Sequence, residues 1–174
     1  MSTTFQDQLD LASVLALIVT KTKKLSGRLR IQKLMYLLRQ KGAKPLQPFF
    51  FDYHHYGPFS ADVADAIKGA VRSKLIAEHE ESDEDWKRYE YTPDVRTAQY
   101  ADGVDASTRA LVEQVLAICG EAHWRTLELA ATIDFLQRTD SLDREAAIRE
   151  ALERKPQCSR YEAEARRLLD ALGL

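Results

Sequence analysis

Apolar residues recur three and four positions apart through most of this chain, and that spacing leaves packed helices as the main solution. Leu11, Val14, Leu15 and Ile18 line one face of a helix expected over residues 6–22. Ile31, Leu34, Met35 and Leu38 line a second over 29–41, which Gly42 stops. The pattern lapses from Pro45 onward, because proline is excluded from helix interiors. The aromatic crowding of Phe49 to Tyr56 predicts a strand instead. Gly57-Pro58 breaks that strand, and Ser60 is placed to cap a helix over 61–74. Asp62 falls in its first turn, and Val63, Ile67 and Val71 face inward. Residues 75–80 and 86–92 read as two strands around an acidic loop, 81–85.

Thr97 to Ala106 is polar, contains Gly103 and ends in the cap-like Asp105-Ala-Ser107, so it reads as a linker. Helices follow over 108–119, 123–137, 142–154 and 160–172. Ser159-Arg-Tyr-Glu162 has capping-box order for the last, which Gly173 ends. The expectation is an α+β fold, mainly α-helical. A winged-helix-like N-terminal lobe with a small β-sheet and hairpin (residues 1–97) precedes a helical C-terminal lobe packed on it (98–174). The winged-helix comparison rests on element order alone. A chain of 174 residues can bury a sizeable core as one compact unit or two closely packed lobes.

With 45% hydrophobic and 30% charged residues the composition is that of an ordinary globular protein. A net charge of −2 provides no global attraction to nucleic acid or anionic membrane. Cys119 and Cys158 show no ligand spacing and suit a reducing compartment. Asp7 and Asp10 argue against a signal peptide, and the apolar run Leu11–Val19 is too short to span a bilayer. A cytoplasmic protein without a membrane partner is expected.

The stretch Tyr53-His-His-Tyr-Gly-Pro-Phe-Ser60 is the richest in reactive groups. In a strand, His54 and Tyr56 face one way and Tyr53 and His55 the other, so the two histidines do not share one metal. Asp52 shares a face with His54, the only pairing there with acid–base or ligand potential. Half-buried sheet residues at a strand-to-helix corner explain the same composition. Cys119 and His123 stand four apart, but Gly120 separates them where a helix should end. Phosphate loops, nucleophile elbows and zinc-protease signatures are missing from the sequence. The stripe Trp124, Leu127, Ala131, Phe135 has core spacing. The expectation is a non-enzyme without metal or cofactor.

Charge is unevenly placed. Lys21 to Lys44 carries Lys24, Arg28, Arg30 and other cations with no acid, whereas Glu78 to Asp94 is dominated by carboxylates, Asp83 and Glu84 among them. Each segment is either a solvated face or a docking surface. Carboxylates in a wing would repel phosphates, and the 61–74 helix mixes both signs, so groove binding fits poorly. A DNA-binding transcriptional regulator of winged-helix type using Lys21–Lys44 is the alternative. A protein partner met by charge complementarity, with Trp86, Tyr89 and Tyr91 as aromatic anchors, is the leading reading.

"GRLRIQKLMYLLRQKG" (27–42), "FFFDYHHYGPFSADV" (49–63), "KLIAE" (74–78) and "YEYTP" (89–93), in that order, resemble the SocA-like or Panacea-domain family, in its YwgA-like and phage-associated GepA-like branch. The resemblance covers residues 6–94. It implies an antitoxin-like or phage- and defence-associated regulator that acts by direct contact with a protein. Gln32, Lys33, Tyr36, Tyr56, Gly57 and Pro58 match the family pattern and, with Ser60, are expected as scaffold and interface. Phe59-Ser60 stands where antitoxin members more often continue Gly-Pro with Val. Partner identity and oligomeric state, a homodimer included, stay open at this point.

Overall fold

The computed structural model describes residues 3–83 and 86–174, without the side chain of Trp86. Its elements are α1 (Phe5–Thr22), β1 (Leu25–Ser26), α2 (Arg28–Gln40), β2 (Asp52–His54), β3 (Gly57–Phe59) and α3 (Ala61–Arg72). A long ribbon follows, β4 (Ile76–Asp83) and β5 (Trp86–Pro93). Then come α4 (Thr97–Asp102), α5 (Ala106–Cys119), α6 (Trp124–Thr139), α7 (Arg144–Arg154) and α8 (Glu162–Leu172). Short 3-10 turns occupy Lys44–Leu46 and Pro156–Tyr161. The fold is α+β and mainly helical. Among the described residues no helix is long and apolar enough to cross a membrane.

Three helices are enclosed rather than amphipathic. α1 buries nearly all of Leu11–Val19, α2 buries every residue from Ile31 to Leu38, and α6 every residue from Thr126 to Leu136. A helix apolar or buried all round belongs at the centre of a fold. α2 is packed against α3, α5, α6 and β3, and the buried apolar residues form one cluster running from α1 to α8.

Several expectations need correction. The aromatic segment is not one strand. Phe49–Phe51 leaves the 3-10 turn as irregular chain, and β2 and β3 form a hairpin pairing Asp52 with Phe59, Tyr53 with Pro58 and His54 with Gly57. Gly57-Pro58 therefore belongs to a strand instead of ending one. β1 went unforeseen because two residues carry no period. It adds to the ribbon to make the antiparallel sheet β1-β5-β4. The supposed linker contains α4, whose Thr97 and Ala101 are buried, and it packs on α1. Ser159 lies inside a 3-10 turn, so α8 starts without the expected cap. The cap at Ser60 holds: its hydroxyl accepts the Val63 N–H at 3.4 Å. Asp105 likewise accepts the Ser107 and Thr108 N–H groups.

Candidate functional site

A helix closed on every side cannot leave polar side chains unpaired, so the polar residues of α2 must have partners. Gln32 clasps the backbone of Ser60 from both ends. Its amide donates to Ser60 O at 2.9 Å, and its carbonyl accepts Ser60 N–H at 3.0 Å. Lys33 donates to Pro58 O at 2.6 Å. Tyr36 donates to Asp134 of α6 at 2.7 Å, with its ring edge-on to Phe51. These positions, one turn of helix, fix the entry to α3 and the returning strand of the hairpin. Gly57 completes the fit. Its φ is +81°, and a Cβ there would overlap Thr132 Oγ1 of α6, so only glycine lets hairpin and helix approach. Gln32, Lys33, Tyr36, Gly57, Pro58 and Ser60, scattered over 29 positions of sequence, thus meet in one clamp.

Tyr56 is the exception among the motif residues: it is 53% exposed. With His54, Gly57 and Phe59 of the hairpin it forms one wall of a cavity of about 400 Å³. Arg28, Leu29, Gln32 and Lys33 of α2 form the second wall, Ala64, Ile67 and Lys68 of α3 the third, and Glu78 of β4 the remaining edge. Its surface is mostly apolar. The imidazoles of the consecutive residues His54 and His55 meet edge to face with centroids 4.8 Å apart, because His55 has already left the strand for the turn. Asp52 accepts its neighbour's N–H, Tyr53, at 2.7 Å, so it is engaged locally.

Beneath the hairpin lies a buried ionic cluster that the sequence did not disclose. Glu128 of α6 and Lys155, which precedes the second 3-10 turn, are 0% and 1% exposed and pair at 2.9 Å. Lys155 also donates to His55 O, tying the C-terminal helices to the hairpin turn. Arg125 stands 3.5 Å from the second oxygen of Glu128. Burial, partly offset by Glu128 and reinforced by Lys155, pulls the Lys33 amine down to about 7. Burial and then the Asp134 carboxylate hold the Tyr36 phenol far above its ordinary value. Asp134 is itself bound by Arg138 at 2.9 Å. Separations of 27 residues for Lys155–Glu128 and 98 for Tyr36–Asp134 explain why no local pattern announced them.

The two charged segments do not stand apart. Lys24 pairs with Glu90 at 2.7 Å, and Arg28 grips Glu78 at 3.1 Å while its guanidinium lies 3.5 Å over the Tyr89 ring. Arg30 is turned inward to the carbonyls of Gly120 and Ala122 at the end of α5, at 3.0 and 2.7 Å. Lys21 reaches Glu113 at 2.6 Å. Tyr91, expected as an anchor for a partner, is fully buried and hydrogen-bonds Glu78. Among the described residues the ribbon is exposed on both strands where Glu81 and Ser82 face Arg88 and Lys87, and Glu80 and Asp83 on either side are exposed too. Asp83 pairs with Trp86 in the ladder; Glu84 and the Trp86 side chain lie outside the described residues.

Elsewhere the side chains serve the fold. His123 caps α6 by accepting Arg125 N–H at 3.2 Å and stacks on Tyr161 at 4.6 Å. Burial pushes the Cys119 thiol up to about 12, which leaves it a poor nucleophile. Among the described residues no group of three or more His, Cys, Asp or Glu is gathered to hold a metal. No protein-family model matches the chain, and no curated protein matches it.

Proposed function

We propose that this chain is a non-enzymatic protein-binding regulator that meets its partner through the outer half of the β4–β5 ribbon. The carrying observation is the contrast between the ribbon's two halves. Near the root Glu78 and Glu90 are half-buried and held by Arg28 and Lys24, whereas at the far end Glu80, Glu81 and Asp83 are exposed to solvent. Glu80 is bridged by Lys87 across the ladder. Carboxylates on an exposed ribbon suit a partner with a basic surface, where charge steers encounter. The antitoxin-like, phage- or defence-associated role implied by the motif resemblance is the setting we propose. The alternative, DNA binding through Lys21–Lys44, has less behind it. Lys21, Lys24, Arg28 and Arg30 are engaged within the chain, and α3 presents Asp65 bound to Lys68.

The test is the double charge reversal Glu81→Lys/Asp83→Lys. A protein retained by the wild-type chain at low salt should dissociate as screening grows and should not be retained by the variant. The variant's melting should stay unchanged, because exposed substitutions rarely move stability by more than about 0.5 kcal/mol. If the partner arrests growth when expressed alone, coexpression of the wild-type chain should relieve the arrest and the variant should not. Equal retention by both forms overturns the reading.

A further inference from the structure

The buried ions near the hairpin do not balance. Lys33 and Lys155 are each 1% exposed, and among the described residues the buried carboxylate that acts on both is Glu128, since Asp134 is held by Tyr36 and Arg138. Lys155 uses its ammonium on Glu128 and His55 O, and Arg125 adds a further positive charge at the second Glu128 oxygen. Among the described residues Lys33 makes one hydrogen bond, to Pro58 O. A protonated amine has three N–H donors, so two are left over. Buried charges are ordinarily paired, and an unpaired one is costly. Burial draws the Lys33 amine down to about 7, as befits an ammonium short of an anion.

Lys33 is also a wall residue of the 400 Å³ cavity. The other charged groups around that space are paired, Arg28 with Glu78 and Lys68 with Asp65, so Lys33 contributes the unbalanced positive charge among the described lining residues. Leu29, Phe59 and Ile67 make the rest of the wall apolar. The volume lies within the range of sites for small organic molecules. We propose that this cavity is a binding site for a small free carboxylate with an apolar tail. Lys33 receives the anionic end and the space between α2 and α3 receives the tail. The site is separate from the ribbon end, although Glu78 near the ribbon's root forms one of its edges.

Octanoate, octan-1-ol and octylammonium share a chain length and differ in head charge, which makes them suitable probes. Each is titrated against the full chain at about pH 6.5, where Lys33 is largely protonated. Calorimetry gives the affinity, and amide shifts at Phe59 and Ala64 give the location. Octanoate should bind at least tenfold more tightly than octylammonium and more tightly than the alcohol. Ala64→Trp, which fills the cavity from a half-exposed position, should abolish binding of all three. Lys33→Met should remove the preference of octanoate over the alcohol. If Lys33→Met fails to fold, the head-group ranking in the wild type and the loss in Ala64→Trp still decide. Equal binding of the three probes, no binding of octanoate, or octanoate binding untouched by Ala64→Trp overturns the proposal.

Discussion

At the scale of single residues, Lys33 has the most measurable consequence. Its amine is held near 7 in the folded chain against an ordinary 10.5. Above pH 7 the folded form has mostly released that proton while the unfolded chain still holds it. More protons bound to the unfolded state means that stability rises with pH. Between about pH 7 and about pH 8.5, urea unfolding should show stability climbing by up to roughly 1.4 kcal/mol per pH unit. Above about pH 9 the climb flattens, because the buried Cys119 thiol, raised to about 12, keeps a proton that the unfolded chain loses, and this opposes the Lys33 effect. In Lys33→Met the climb should vanish. A climb that survives the substitution would place the titration on another group.

At the scale of elements, the hairpin is held by what lies on either side of it. Gly57 combines a left-handed φ with an approach to Thr132 that excludes a methyl group. Gly57→Ala should destabilise the fold by about 3 kcal/mol, backbone strain and overpacking together. Thr132→Ala added to it should restore about 1–2 kcal/mol of that, the overpacking share. Equilibrium unfolding of the two singles and the double measures the coupling, and strict additivity would deny the contact. The same elements show what the sequence could disclose. Helices with a one-sided apolar pattern, α3 above all, were legible because periodicity records which face is buried. Ser60 and Asp105 were legible because capping is local. The hairpin was misread because alternation was carried through a turn that pairs His54 with Gly57. α6 looked amphipathic because Glu128, Thr132 and Asp134 resemble a solvated face. Their partners, Lys155, the backbone and Tyr36, are fixed only by packing. Of the cavity, the hairpin residues and Arg28, Gln32 and Lys33 of α2 stand out in the sequence; Ala64, Ile67 and Glu78 join them solely through tertiary structure.

At the scale of the whole molecule, the C-terminal helices belong to the same core as the motif-bearing half. α8 buries Leu168, Leu169 and Leu172 against α6 and its neighbours, and Lys41 at the end of α2 donates to Leu172 O. Each such leucine contributes about 2 kcal/mol, so losing three removes about 6 kcal/mol, comparable to the full stability of many domains. A chain ending at Lys155 should therefore lose its cooperative thermal transition, followed by circular dichroism. A sharp transition in the truncated chain would show that the first 155 residues fold alone. The charge layout also belongs to this scale, since cations and carboxylates that look segregated along the chain become neighbours once β1 joins β5. Arg28 is where this matters most. One guanidinium lies on Tyr89, grips Glu78 and borders the cavity, so it works as a hinge pin between an appendage and a chamber. Tilting the ribbon at its base must carry that pin along and reshape the chamber's rim, and a guest that repositions the pin must in turn re-aim the ribbon.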